Sequence, residues 1–313
     1  MHFLNIEPIQ KRSRKVGSVV FLAIFALFLF LYNWVVEAIA QAHISPKIEK
    51  QNIQFLLNQP QLTSNQLTTL SLQTGLHPRI VEEYLSKGRQ QELLQIQQLY
   101  FEPIHIQSFN TTPFTISEYL VDEQGDRTIG MPLVDLQDGD VLITKNSRFL
   151  GWRNGHAALV VDADKGLILE AFMLGTVTKL SLVEKWSTYP SFQVLRLKEE
   201  YALEDEYTRN KNGVIEPLPQ KVATYAEKNL IEIPYHLLAG ISERDHRTDL
   251  TKVQAAEQEE ITDAIPTGTH CAHLVWYAYM QFGIDLDSDG GWIVTPEDIR
   301  NSPYLEVIQS YGY

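Results

Sequence analysis

The sequence predicts an α+β protein in which helices pack against an antiparallel sheet. Three observations predict this class: a Gln- and Leu-rich helical stretch over residues 44–100, short β-branched segments separated by turns over residues 133–197, and two helical patterns nearer the C-terminus. Strands joined by short connections pair antiparallel, and helices before and after them in the chain can cover the sheet.

The composition is that of a folded protein and excludes one class of partner. Apolar residues make up 44% and charged residues 21% of the chain, which has room for one sizeable domain and a smaller unit. The net charge of −13 argues against a nucleic-acid partner, because phosphate backbones are bound by basic surfaces. Acidic residues are concentrated between Glu199 and Asp263. This stretch is interpreted as a solvated acidic insertion or as a surface that attracts cationic substrates.

The N-terminus predicts a single membrane-spanning helix, with the membrane as a partner. Residues 1–15 contain the basic cluster Lys11–Lys15, and residues 16–36 carry no charge. A helix of that length spans roughly 30 Å, one bilayer core. Because the basic cluster precedes the span, the positive-inside rule predicts a single-pass protein of the cell membrane with its main domain extracellular. The alternative is a secreted protein, with a signal peptide cleaved near Ala40.

Residues 37–132 are predicted to form a small helical spacer module and linker. Apolar residues recur at helical spacing over 64–88, Thr74–Gly75 interrupts the pattern, and Pro78 can begin a second helix. A helix-turn-helix DNA-binding motif has the same spacing. Basic and acidic side chains balance here, so the surface that DNA binding requires is missing, and we expect a packing or spacer role.

Residues 133–313 are predicted to form the main domain. Its first half contains five short segments typical of an antiparallel meander: 138–145, 155–162, 166–172, 175–182 and 192–197. Pro219–Leu230 is predicted to be a helix and Ile231–Gly240 a short extended segment.

Cys271 is the only cysteine of the chain, and it lies in the first turn of a predicted helix. Thr269 is expected to cap this helix and Gly283 to end it. Cys271 shares a face with apolar residues at helical spacing, so it points into the domain. The positive end of a helix favours a thiolate, which makes Cys271 a candidate nucleophile. The alternative is a small buried apolar residue without a chemical role.

A base for the thiol is expected from another part of the chain. His270 and His273 project in other directions from the helix. His156 opens a predicted strand beside Gly155 and is the better candidate. A metal site would use His270 and His273 with His236 or His246, but the spacing matches no structural zinc site, so no metal is predicted. No organic cofactor is implied either.

Glu170 is an acid in an otherwise apolar segment and is the candidate third member of the site. If the turn between the two strands is centred near Asp164, Glu170 faces Ala158 and lies diagonally across from His156. A carboxylate there is costly unless it is paired, and orienting an imidazole would pair it. The alternative is a surface acid at a strand edge.

Three further features have a functional and a structural interpretation. Tyr235 could donate to an oxyanion or line the pocket, or it could be a core residue. Trp152 could line the cleft, or pack. Asp285–Gly291 begins like a calcium loop, but Pro296 occupies the twelfth place instead of glutamate, so we expect an acidic turn.

The motifs GDVLIT, GHAALVVD, LILEAF and THCAHLVWYAYMQFG, in this order, resemble the permuted papain-like (YiiX-like) amidases, relatives of the NlpC-type cell-wall hydrolases. The resemblance covers roughly residues 133–310 and extends more distantly to lecithin retinol acyltransferase. It implies a circularly permuted papain-like domain in which the histidine precedes the cysteine. By that resemblance Cys271 is the nucleophile, His156 the base and Glu170 the third member. The sequence differs directly after the cysteine, where it has Ala272–His273 in place of Ser-Glu.

The function expected from the sequence is that of a membrane-anchored extracellular cysteine hydrolase. It would cleave amide bonds, in cell-wall peptides, through an acyl-enzyme whose oxyanion is held by helix N–H groups. One alternative is a lipid acyltransferase or thioesterase. The other is a non-catalytic binding module on the same fold.

Overall fold

The computed structural model describes residues 10–202, 216–240 and 265–313. The strands are β1 (His105–Thr112), β2 (Thr115–Val121), β3 (Val141–Thr144), β4 (Ser147–Phe149), β5 (His156–Asp162), β6 (Leu167–Glu170), β7 (Lys179–Leu182), β8 (Phe192–Leu197) and β9 (Leu305–Tyr311). The helices are α1 (Gln10–Ile39), α2 (Gln54–Leu57), α3 (Ser64–Thr74), α4 (Pro78–Ser86), α5 (Gln90–Tyr100), α6 (Glu199–Ala202), α7 (Leu218–Asn229), α8 (Cys271–Met280) and α9 (Pro296–Arg300). Much of the acidic stretch, residues 203–215 and 241–263, lies outside the described residues.

A six-stranded antiparallel sheet lies at the centre, in the order β7-β6-β5-β3-β8-β9. Strands β5, β6 and β7 are consecutive in the chain and adjacent in the sheet, as a meander requires. Strand β4, between β3 and β5 in the chain, belongs to another sheet, and β8 returns to the other side of β3. Strands β1, β2 and β4 form a second, smaller antiparallel sheet. The α+β class predicted from the sequence is therefore confirmed.

The prediction of a membrane-spanning helix is wrong for the part of the chain that the structure describes. Helix α1 covers the predicted segment. Among the described residues, however, no helix is both long and apolar enough to cross a bilayer.

The two faces of the large sheet bury two apolar clusters. Helices α7 and α8 cover one face. There Val222 of α7 and Val275 of α8 pack with Val141 of β3 and Leu159 of β5. Helices α3, α4 and α5 contribute to the cluster that contains Leu142, Ala158 and Val160. The helices predicted as a packing or spacer module therefore share a core with the sheet.

Residues 105–121 form β1 and β2, where the sequence predicts part of a helical module and linker. Strand β1 is mostly polar and largely exposed, so it lacks the apolar alternation by which a half-buried strand is recognised. Its position depends on pairing with β2, which in turn pairs with β4. This small sheet borders the candidate site.

Candidate active site

Helix α8 places Cys271 at its first residue, but its cap is His270 rather than the predicted Thr269. His270 has extended backbone angles, and its Nδ1 accepts a hydrogen bond from the His273 N–H at 3.3 Å. The backbone of Thr269 is held in an extended conformation, because its N–H and C=O both bond to residues 234–236. The helix therefore starts one residue later than predicted.

Cys271 is only 6% exposed, and its helix packs against β5 and α7. The first N–H groups of a helix lack intrahelical acceptors and carry partial positive charge. The thiol therefore lies where a thiolate is favoured. The helix ends at Met280, ahead of the predicted stop at Gly283, and most of its residues are buried.

His156 is the first residue of β5 and pairs with Thr144 of β3. The preceding Gly155 has a φ of 68°, and a Cβ added there would lie 2.5 Å from the Thr144 carbonyl oxygen. Glycine is therefore required for the close approach of these two segments. The imidazole is buried at the end of the sheet rather than exposed at its edge.

The register between β5 and β6 is the one that the predicted turn centre requires. Leu159 pairs with Leu169, and continuing this register places Glu170 opposite Ala158, diagonal to His156. The His156 Nε2 lies 3.1 Å from Glu170 Oε2, and Glu170 is fully buried. This burial does not fit the alternative of a surface acid.

Lys185 is a member of the site that the sequence analysis missed. Its Nζ contacts Oε1 of Glu170, while His156 takes Oε2 of the same carboxylate. Lys185 lies in a 3₁₀ turn, Val183–Thr188, that follows β7. Neither helical nor strand periodicity marks a lysine in such a turn, so only the folded chain shows that two cations share Glu170.

Two aromatic rings hold the imidazole. The His156 ring stacks on Trp186 at a centroid distance of 5.8 Å and meets the edge of Phe172 at 5.6 Å. Trp186 is fully buried. The ring of His156 is thus restricted on its faces and at one nitrogen, which suits a residue that must keep one orientation.

Burial and charge interactions shift the pKa values of Cys271, His156 and Glu170 in opposite directions. Burial raises the pKa of the Cys271 thiol, but hydrogen bonds and charge interactions with His156 and His270 outweigh it and lower the pKa to about 5. Burial lowers the pKa of His156, but Cys271 and Glu170 raise it to about 9. Burial raises the pKa of Glu170, whereas His156 and Lys185 lower it to about 2. The arrangement therefore favours a thiolate, an imidazolium and a carboxylate at neutral pH.

A cleft of about 600 Å³, including space open to solvent, reaches both Cys271 and His156. Its polar lining includes Thr111, Thr115, Ser117, Asn146, Ser147 and Asn154. Its apolar lining includes Phe149, Phe172, Met173, Leu174 and Leu237. Several of the polar residues belong to the small sheet, which therefore forms part of the cleft.

The two candidate pocket residues have different positions. Tyr235 lines the cleft together with Cys271. Burial, and then the charge of Cys271, raise the pKa of Tyr235, so its hydroxyl keeps the proton. Trp152 is not among the described residues that line the cleft; its ring lies 5.3 Å from that of Phe30 in α1. The packing interpretation fits Trp152.

The two histidines beside Cys271 also differ from each other. His273 is fully buried, with Nδ1 2.9 Å from Thr269 Oγ1 and its ring 5.4 Å from that of Trp276. His270 interacts with the thiol, contrary to the expectation that it points away. The expectation assumed helical geometry, whereas His270 is a capping residue with extended angles.

The acidic segment after α8 does not follow the calcium-loop pattern. Asp285, at the first place of that pattern, accepts a hydrogen bond from Trp276 Nε1 at 2.7 Å. Carboxylate oxygens of Asp287 and Asp289 instead lie within 4.8 Å of Asp298, which belongs to α9. Asp298 also closes the capping box of that helix.

Comparison with protein-family models, with curated proteins and with solved structures finds no match to this chain. The resemblance to permuted papain-like amidases thus rests on the motifs quoted above.

Proposed function

We propose that this protein is a cysteine hydrolase that cleaves amide bonds through an acyl-enzyme on Cys271. The observation that carries the proposal is the buried series of interactions from the Cys271 thiol through His156 to Glu170. A helix N-terminus and an adjacent imidazole are two established means of activating a cysteine. Both act on the same thiol here.

The reaction begins from the thiolate and imidazolium. Glu170 holds Nε2 of His156, which leaves Nδ1 for the sulfur. The thiolate attacks the carbonyl carbon, the carbonyl π pair moves onto oxygen, and the intermediate expels the amine, which takes the proton from His156. Neutral His156 then removes a proton from water, which attacks the thioester and releases the acid and the thiolate.

The start of α8 supplies a donor for the oxyanion. The backbone N–H of Cys271 is one of the first N–H groups of the helix, which have no intrahelical acceptor. Donors already aimed at the developing charge lower the barrier most effectively. Tyr235 lines the same cleft with a protonated hydroxyl and can contact the substrate.

The side chains that line the cleft indicate which class of substrate it can bind. Its hydroxyl and amide side chains can bind a peptide backbone, which favours an amide substrate. Its apolar residues favour a second candidate function, acyl transfer or hydrolysis on lipids. The cell-wall peptide expected from the sequence depended on export of the main domain, behind a membrane anchor or after signal cleavage, and it stays a prediction. The proposed substrate is therefore an amide of unspecified origin.

Alkylation by iodoacetamide tests whether the thiol is activated. Cys271 is the only cysteine, so the signal is specific to the site. We expect full-length protein to react with a midpoint near pH 5, whereas an ordinary thiol titrates at about 8.5. His156→Ala should move the midpoint toward the ordinary value. Reaction only above about pH 8 in both proteins would support the non-catalytic binding module.

Intact mass spectrometry tests for the acyl-enzyme. Protein mixed with p-nitrophenyl acetate should carry one acetyl group, and Cys271→Ala should carry none. Neutral peptide amides and phospholipid vesicles then separate the two substrate classes. Amine release from the peptides supports the amidase. Fatty-acid release from the vesicles alone supports the lipid enzyme.

A further inference from the structure

His270 has a buried nitrogen for which the proposed triad gives no role. The residue is 6% exposed and immediately precedes Cys271. Its Nε2 is buried and bonds to no nitrogen or oxygen in the described part of the chain, so the Cys271 thiol, with which His270 interacts, is the partner left for it. A buried polar group without a nitrogen or oxygen partner is costly, so a native structure retains one mainly where it has a use.

The capping bond fixes which nitrogen of His270 carries hydrogen. Nδ1 accepts the His273 N–H at 3.3 Å and must therefore present a lone pair. In a neutral imidazole the other nitrogen then bears the hydrogen. Nε2 is thus an N–H donor, held by a helix cap beside the nucleophile.

The ionisable groups that interact with the thiol come from three elements. His156 approaches from β5 and His270 from the cap of α8. Tyr235 approaches from the segment that pairs with Thr269. Behind His156 lie Glu170 and, through it, Lys185. His156 transfers the proton in the proposed mechanism. The role left for His270 is therefore to donate a hydrogen bond while keeping its own proton.

We propose that His270 is a further catalytic residue, whose Nε2–H donates a hydrogen bond first to the Cys271 thiolate and then to the oxyanion. This inference rests on the proposed hydrolase function. As the sulfur electron pair forms the bond to the carbonyl carbon, the π pair moves onto the adjacent oxygen. The donor keeps its proton throughout, and its hydrogen bond follows the charge from sulfur to oxygen.

The substitution His270→Asn separates this role from helix capping. Asparagine is among the best N-cap residues, so it can accept the His273 N–H and keep α8 capped. It removes the imidazole Nε2–H, and His270→Ser, which caps equally well without a side-chain N–H, checks that the asparagine amide does not replace that donor. We expect the pH midpoint of Cys271 alkylation to rise by about one to two units, the effect of losing one hydrogen bond to a charged group. Acetylation by p-nitrophenyl acetate at saturating pH should slow roughly a hundredfold.

The chain offers a matched control at another helix. His77 caps α4 with its Nδ1, which accepts the Arg79 N–H at 3.3 Å, the same distance as at His270. His77→Asn therefore makes the corresponding exchange at the cap of another helix, where the ring also lies 3.7 Å from Glu306 Oε2. It should leave both the alkylation midpoint and the acetylation rate unchanged. Thermal unfolding of both variants measures how much stability is lost when a capping histidine is replaced by asparagine.

The outcomes separate the two proposals. An activated wild-type thiol, with an unchanged midpoint and acetylation rate in His270→Asn, would show that His270 is only a cap. A wild-type thiol that reacts only above about pH 8 would overturn the hydrolase proposal and this inference with it. If the asparagine variant does not fold, His270→Ser provides the same test, because serine is an equally good cap without a ring.

Discussion

At the scale of single residues, the site depends on one buried carboxylate with two cationic partners. Glu170 is fully buried, and such a carboxylate is tolerated only when its charge is matched. His156 and Lys185 each take one of its oxygens. Glu170 therefore interacts with two cations at once, and its charge adds to that of Cys271 in raising the pKa of His156 against burial.

We expect activity to require pH values between about 5, above which Cys271 is a thiolate, and about 9, below which His156 is an imidazolium. A profile of kcat/KM against pH measures both limits.

Glu170→Gln removes a negative charge that favours the imidazolium form of His156. The pKa of His156 should fall from about 9 toward its ordinary 6.5, which moves the alkaline limb of the kcat/KM profile to lower pH. The exposed neighbour Glu184 provides the control Glu184→Gln. An alkaline limb that stays in place in the Glu170 variant would contradict the assignment.

Lys185→Met should move the alkaline limb in the opposite direction. Methionine keeps an apolar stem but leaves the full charge of Glu170 to His156, so the pKa of His156 should rise. Lys165→Met is the control, because Lys165 pairs with Asp162 on the surface. The pH profile distinguishes this effect from simple loss of packing, which would lower activity at every pH without moving the limb.

At the scale of elements, the start of β5 requires a glycine. The αL conformation costs other residues about 1–2 kcal/mol, and at Gly155 a Cβ would also meet the Thr144 carbonyl oxygen at 2.5 Å. Backbone atoms cannot move aside as a flexible side chain can. The position of His156 at the strand end therefore depends on Gly155.

Gly155→Ala should lower the free energy of unfolding by roughly 3 kcal/mol and remove the alkylation at pH 6, because it displaces His156. Gly88 is the control, since it has a φ of 69° but nothing within 4 Å of an added Cβ. Gly88→Ala should cost only about 1 kcal/mol and leave the thiol reactive. Urea unfolding followed by circular dichroism measures both. Equal losses in the two variants would mean that the contact with Thr144 carries no cost.

At the scale of the whole molecule, helices α3, α4 and α5 share one core with the six-stranded sheet. Leu70 and Ile80 from the helices share a cluster with Val160 and Trp186. Trp186 in turn stacks on His156. The helices therefore support the site from behind rather than hold it at a distance.

Leu70→Ala should destabilise the whole protein by about 2–5 kcal/mol, because Leu70 is fully buried. Leu72 lies on the same helix and is 54% exposed, so Leu72→Ala should cost less than about 0.5 kcal/mol. In Leu70→Ala, tryptophan fluorescence and circular dichroism should show the same shifted transition. Two separate transitions would show that the helices unfold independently of the sheet.

The sequence by itself determined much of the local structure. The apolar pattern and turn residues located the meander strands and the helix that begins at Cys271. The turn centre near Asp164 and the strict two-residue alternation of side chains were enough to place Glu170 beside His156. These features follow from periodicity within one element or between two adjacent strands.

Only the tertiary structure decided how these pieces meet. Cys271 belongs to the apolar cluster on one face of the sheet, whereas Trp186 beside His156 belongs to the other. The thiol and imidazole therefore come together at the end of the sheet, through packing between segments far apart in sequence. The same packing brings Lys185 to Glu170 and holds Thr269 extended, which makes His270 the cap. A local pattern carries no information about such contacts, because they depend on where separate elements end relative to one another.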